Sequence, residues 1–158
     1  MADILVTKIP SLLKLGSQIC SVPLRFYYTA AKLEKFLLFD IPSNGESLTY
    51  QVISQDASCY LSATNLSPFD FTIDRIKVTV VLDGGGNFSC NDHMPHIVKG
   101  CSRQSICLRG GFPTNELVAK HAREAKRANV TIEAHIITNI RSFQIRQYLN
   151  DIKNVRVI

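Results

Sequence analysis

Cys90, His93, His96 and Cys101 stand in the spacing C-x2-H-x2-H-x4-C, with Asp92 inside the run and Cys107 beyond it. Thiolate and imidazole groups on one loop can wrap Zn2+, which takes four such ligands in a tetrahedron. Structural zinc sites usually carry paired C-x2-C knuckles, and this chain has none. Ordinary loop and strand residues are therefore the first expectation, with no cofactor. Zinc is the alternative, and a disulfide between Cys90 and Cys101, or Cys101 and Cys107, is a third reading.

Other catalytic patterns are missing. A nucleophilic Ser or Cys needs an oriented base beside it, and the G-x-S-x-G elbow that would signal one does not occur. Asp70 and Asp74 fall at a strand corner, where turn chemistry accounts for them. Asp83-Gly84-Gly85-Gly86-Asn87 lacks the Gly-Lys-Ser/Thr ending of a phosphate loop, and no helical pattern follows it. The chain is not expected to be an enzyme.

Charge is more informative. The net charge of +5 divides into +3 over residues 1–38, −3 over 39–116 and +5 over 117–158. Lys8, Lys14, Arg25, Lys32 and Lys35 make the first basic end, and Lys120, Arg123, Lys126 and Arg127 the second. Basic ends around an acidic middle suit an anionic surface, either lipid headgroups or nucleic acid. A solvated surface that keeps the protein soluble is the plainer reading. No aromatic residue interleaves with the 120–127 run, so single-strand stacking is not favoured there.

Alternating strands must position these residues. In 59–64, Cys59, Leu61 and Ala63 share one face and Tyr60, Ser62 and Thr64 the other. In 75–82, Ile76, Val78, Val80 and Leu82 oppose Arg75, Lys77 and Thr79. Between the two runs, Asn65 tolerates tight turns and Pro68 cannot donate to a ladder, so the chain turns a corner. Further strands are expected over 48–54, 104–109 and 130–136, the last running on through Phe143 and Ile145, with an edge strand at 155–158. Tyr28 to Leu38 reads as a helix with Ala30, Leu33 and Leu37 on one face, or else as a helix giving way to a strand from Phe36. Glu116 to Ala128 reads as a helix capped by Thr114 or Asn115.

A length of 158 residues fits one domain, divided here into an amphipathic extension over 1–35 and a β domain over 36–158. The uncharged stretch from Leu15 to Leu24 is shorter than the ~20 residues that span a bilayer. Asp3, Lys8, Pro10 and Lys14 spoil a signal peptide. Five cysteines, an odd number, fit reduced thiols better than a disulfide framework. The sequons at Asn65, Asn87 and Asn129 are then unmodified, and the expected location is cytoplasmic, peripheral to a membrane.

The order of elements from Lys35 to Ile158 resembles the WHy type of late-embryogenesis-abundant and harpin-induced-like proteins. The resemblance rests on the strand leading into Thr64-Asn65-Leu66-Ser67-Pro68-Phe69, where the family carries Asn-Pro-Asn or Asn-Pro-Tyr, and on the strand Asp74 to Leu82. It rests too on the strand after Val98-Lys99-Gly100-Cys101 and on a helix before a last long strand. Leu66 stands where the family has proline. The resemblance implies an immunoglobulin-like or fibronectin-like antiparallel sandwich with one C-terminal helix. It also implies a non-catalytic binding or protective module, stress-associated and membrane-proximal, with a protein partner or an anionic membrane. The rival reading is a basic assembly protein of viral matrix type that bridges membrane and nucleic acid or nucleoprotein.

Overall fold

The computed structural model describes residues 24–42, 47–51, 56–111, 125–153 and 155–157. They form a turn of helix at 24–27, a short helix, α1 (Ala30–Glu34), and ten strands: β1 (Leu37–Asp40), β2 (Leu48–Gln51), β3 (Asp56–Asn65), β4 (Phe71–Leu82), β5 (Asn87–Asp92), β6 (His96–Val98), β7 (Ser102–Gly111), β8 (Ala128–Ile137), β9 (Ser142–Ile152) and β10 (Val155–Val157). Among the described residues no helix is long and apolar enough to cross a membrane.

The protein is mainly β, as expected, but its strands join differently from a two-sheet sandwich. Hydrogen bonds run without a break through β10-β2-β3-β7-β5-β4-β8-β9, with β1 on β3 and β6 on β4. All pairs are antiparallel except β10 on β2, so the result is one curled mixed sheet, a half-barrel. The link that makes it continuous is short: Ser89, Cys90 and Asn91 of β5 pair with Gly111, Gly110 and Arg109 of β7. Gly110 permits it, since a Cβ there would collide with the Ser89 carbonyl oxygen and the Cys90 Cα.

Two partner strands are split. β1 and β2 lie in line along one edge of β3, Asp40 opposite Ser62 and Leu48 opposite Cys59, so Tyr60 and Leu61 separate the two registers. β5 and β6 share an edge of β4 in the same way. In β4 a bulge at Asp74 shifts the register between Ile73 and Arg75, which keeps both Ile73 and Ile76 inward.

The alternation read from the sequence holds strand by strand. Cys59, Leu61 and Ala63 of β3, Ile76, Val78, Val80 and Leu82 of β4, Ile106 and Leu108 of β7, and Val130, Ile132, Ala134 and Ile136 of β8 are all buried. Two halves of the sheet face each other across this core. Tyr50 of β2 stacks on Phe88 of β5 at 6.2 Å, and Phe71 of β4 meets Phe143 of β9 edge to face at 5.9 Å. Each fully buried Leu, Ile, Val or Phe contributes roughly 1.5–3 kcal/mol by leaving water.

The expected Tyr28–Leu38 helix is cut short. Thr29 caps α1 by accepting from the Lys32 N–H, and the chain then extends because Leu37 and Phe39 fill the core as strand residues opposite Asn65 and Ala63. Leu33 of α1, inside the expected extension, is fully buried in the same core. Residues 116–124 of the expected C-terminal helix lie outside the described residues. Its expected end does not hold, since Ala128 is already paired with Leu82 in the β8–β4 ladder.

The far edges of the sheet, β9 and β1, approach each other without a ladder. One side chain bridges them: Gln147 Oε1 accepts from the Phe39 N–H at 3.1 Å, and Gln147 Nε2 donates to the Phe39 carbonyl at 2.7 Å. The primary amide imitates a residue of a neighbouring strand.

Candidate functional site

The C-x2-H-x2-H-x4-C residues do not come together. Strand alternation turns Cys90 into the core, and burial pushes its thiol up to about 12. Cys101 sits exposed in the turn before β7 at φ +53°, its N–H donating to the Ser67 carbonyl at 2.9 Å. His96 Nε2 lies 2.8 Å from Asp92, and His93 is exposed on the opposite side of the sheet from Cys90. Among the described residues no group of three His, Cys, Asp or Glu side chains is placed to hold a metal ion. Cys59, Cys90, Cys101 and Cys107 are all free thiols.

The Asn65 corner is a filled polar knot. Asn65 is fully buried, and its Nδ2 donates to the carbonyls of Phe69 at 2.6 Å and Val98 at 3.1 Å. Its Oδ1 accepts from the Ser67 N–H at 2.9 Å, and Ser67 Oγ accepts from the Phe69 N–H at 3.2 Å. Asp70 closes the outside, bonding Lys99 Nζ at 2.8 Å and the Gly100 N–H at 3.0 Å; these bonds hold its carboxyl below the usual carboxylate range. A side chain at Gly100 would strike the Pro68 carbonyl. Every polar atom of the Asn65 amide is used, so the corner is architecture, and the Asn65 sequon is closed to modification.

A concave surface of about 770 Å3 lies on the outer face of β5, β4, β8 and β9. Register aligns Asn91, Lys77, Glu133 and Arg146 across the four strands. Glu133 pairs with Arg146 at 3.3 Å. The bulged Asp74 reaches both Arg75 and His135, at 3.3 and 3.2 Å, and the His135 bond first of all keeps the Asp74 carboxyl below its ordinary range. His135 and His96 thus bond carboxylates rather than a hydroxyl or thiol. The groove carries charges of both signs, largely paired, and it is open.

The basic residues separate into two ends of the molecule. Lys8, Lys14, Lys120 and Arg123 lie outside the described residues. Lys126 and Arg127 sit beside the β4–β5 turn, where Lys126 N–H donates to Asp83 and Arg127 pairs with Asp151 at 2.8 Å. Arg25, Lys32 and Lys35 lie by contrast near the start of β4, since Tyr28 packs on Phe69 at 5.1 Å. The 12 residues of β4 put about 36 Å between the two groups at ~3.3 Å per residue.

The first end holds residues that sequence reasoning passed over. Phe26 and Tyr27, adjacent to Arg25, are 82% and 64% exposed. Lys32 Nζ rests over the Tyr27 ring at 4.2 Å, and the Arg141 guanidinium, from the β8–β9 turn, donates to the Arg25 carbonyl. The signal available was the run Arg25-Phe26-Tyr27, a cation followed by two aromatics just before the helix cap.

No protein family and no curated protein matches the chain. Solved structures resemble it in chain path at low identity. The ligand-binding region of Serine-glutamate repeat protein A from Enterococcus faecium has 8% identity and a TM-score of 0.39, covering 77% of this chain and 96% of that one. A solution structure of a protein described as late embryogenesis abundant has 15% identity and a TM-score of 0.42, covering 94% and 87%. A protein from Archaeoglobus fulgidus has 12% identity and a TM-score of 0.37, covering 72% and 94%.

Proposed function

We propose that the protein is a non-catalytic binding module that works from its outer surface, close to a membrane, in the protective role that the WHy-type resemblance implies. The observation that carries the first part is the packing of the two facing halves. Tyr50, Phe71, Phe88, Leu61, Ile132 and Ile136 fill the space between them, each less than 2% exposed. A lipid carrier of this shape would need an apolar cavity on the scale of 300 Å3 or more, whereas two concave surfaces of that scale, about 770 and 560 Å3, open outward, one on the charged strands and one beside Phe69 and Ile137. Binding then falls to exposed charge, and Arg25, Lys32 and Lys35 at one end favour an anionic partner.

The rival bridging reading draws on the separation of the basic groups along β4. Two cationic ends about 36 Å apart can touch two anionic surfaces at once, whereas a single patch cannot.

Titration with a fluorescent fatty acid tests the outer-surface reading. The expected result is no saturable uptake. Stoichiometric, saturable binding that protects core amides from hydrogen exchange would show an interior site and refute it.

A further inference from the structure

We infer that the end of the barrel bearing Phe26 and Tyr27 is a docking face for a bilayer containing anionic lipid; this rests on the membrane-proximal reading above and names the surface that makes the contact. Phe26 and Tyr27 are neighbours in the turn of helix at 24–27 and both are exposed, so they form a patch rather than a scattered apolar residue. Around them stand Arg25, Lys32 and Lys35, all exposed, which form no ion pair among the described residues. Aromatic rings flanked by cations with aliphatic stems suit the boundary between headgroups and acyl chains, where the ring enters the apolar edge and the charge stays with phosphate.

The rest of this end continues the pattern. Leu66 is 53% exposed and is tied to the same segment by its N–H, which donates to the Phe36 carbonyl at 2.8 Å. Ile97 and Ile137 flank Thr72 across β6, β4 and β8, both substantially exposed. The nearby carboxylates are already occupied: Asp70 by Lys99, Asp92 by His96 and Asp40 by Arg103. Among the described residues here, Glu34 and Asp92, whose histidine partner is charged only when protonated, oppose an anionic surface; Arg25, Lys32 and Lys35 outnumber them, so the end presents apolar area and unspent positive charge together. The aromatic support is rigid as well. Tyr27 meets Tyr28 edge to face at 5.0 Å, and Tyr28 packs on Phe69, next to the Asn65 knot.

Among the described residues the opposite end, where Lys126 is exposed, lacks this combination. Arg127 is paired with Asp151, and the apolar residue exposed beside it, Val81, lies flat in the β4 ladder. A polyanion such as nucleic acid would be drawn by the charge at either end, but its bases stack on aromatic rings and gain nothing from the aliphatic Leu66, Ile97 and Ile137.

The chain contains no tryptophan, so Phe26→Trp gives a single reporter at the proposed contact. With vesicles of phosphatidylcholine and phosphatidylserine, its emission is expected to shift to the blue and to be quenched by lipids brominated in the acyl chain. Tyr148→Trp, on the outer face of β9, is expected to show neither change. In co-sedimentation, Arg25→Glu/Lys32→Glu/Lys35→Glu is expected to weaken binding about a hundredfold or more, from the charge of three cations near an anionic leaflet. Phe26→Ser/Tyr27→Ser is expected to weaken it at least about tenfold, and Lys126→Glu/Arg127→Glu by less than about twofold. All these side chains are on the surface, so circular dichroism is expected to match the wild type. Wild type that fails to pellet with anionic vesicles at low salt overturns the membrane-proximal reading itself. Wild type that pellets while the Arg25 and Phe26 variants pellet equally well, or while only the Lys126 variant fails, overturns the assignment of this end. Binding of a single-stranded RNA that is lost in the Arg25 variant, without vesicle binding, overturns it in favour of nucleic acid.

Discussion

Replacing Gln147 tests whether one side chain holds the two free edges of the half-barrel together. Its amide makes two bonds to the Phe39 backbone, an acceptor at 3.1 Å and a donor at 2.7 Å, in a partly buried seam. Gln147→Leu keeps an apolar stem, one atom shorter, but removes both bonds, at about 0.5–1.5 kcal/mol each where water can replace them and about 1–3 where it cannot. A loss of roughly 2–4 kcal/mol follows, seen in urea unfolding as a lower midpoint with an unchanged slope. In thermal unfolding it corresponds to a fall of roughly 5–15 °C. Gln147→Glu separates the two bonds. An ionised Glu still accepts from the Phe39 N–H but sets negative charge against the Phe39 carbonyl, while the protonated acid can donate to it. Its folded-state pKa is therefore raised, and the sign follows: the penalty is full above the folded pKa and is relieved as pH falls toward the unfolded value of about 4.3. The Phe39 amide should also exchange with solvent faster in Gln147→Leu, which alone removes its acceptor. A Gln147→Leu protein within about 0.5 kcal/mol of wild type, with Phe39 exchange unchanged, would refute the bridge.

Asn65→Asp is isosteric but loses the Nδ2 donor, leaving the Phe69 and Val98 carbonyls facing a carboxylate inside the protein; the expected cost is about 3 kcal/mol or more, read by chemical denaturation, and Asn65→Ala should cost less than Asn65→Asp. Gly110→Ala should prevent the β5–β7 pairing, so that expression yields insoluble chain or a fold at least about 3 kcal/mol weaker, whereas Gly85→Ala, in open space at φ +90°, should cost about 1 kcal/mol. The Asp70, Asp74 and Asp92 carboxyls all titrate below their ordinary values in the folded protein. Their contribution is present above the unfolded value of about 3.9 and lost as pH falls through the lower folded values, so stability should decline on acidification below about pH 4, in steps that Asp92→Asn makes shallower.

The strands were legible because each buries one face, and a period of two needs nothing beyond the local sequence. Ile76 to Leu82 and Val130 to Ile136 illustrate this. What the alternation could not reveal was how the strands join. Two sheets or one depends on whether β5 and β7 touch, and that turns on Gly110, whose meaning lies in the approach of Ser89 from another strand. The Cys90 to Cys101 spacing allowed more than one reading: as a loop it would gather ligands, but Cys90 is a strand residue whose parity sends it inward. The helix expected from Tyr28 to Leu38 had sound propensity. It yielded where Leu37 and Phe39 gain more from the core in extended form than from one further helical turn. The basic residues were counted correctly, yet their separation along β4 and the exposure of Phe26 and Tyr27 are properties of the folded chain.

The division of one edge between β1 and β2 has a bearing on how this protein could change over time. Both pieces keep their own register on β3, and Ile41 and Ser47 are buried where each meets the core, so the connection after Pro42 and before Ser47 is not needed to align them. Doubling the length of such a connection adds only about 0.6 kcal/mol of closure entropy. The same edge can therefore carry a longer insert without shifting a side chain of the core. The protein holds a built-in point of growth, and a binding loop or an engineered tag placed after Pro42 would be borne by a scaffold that does not register its arrival.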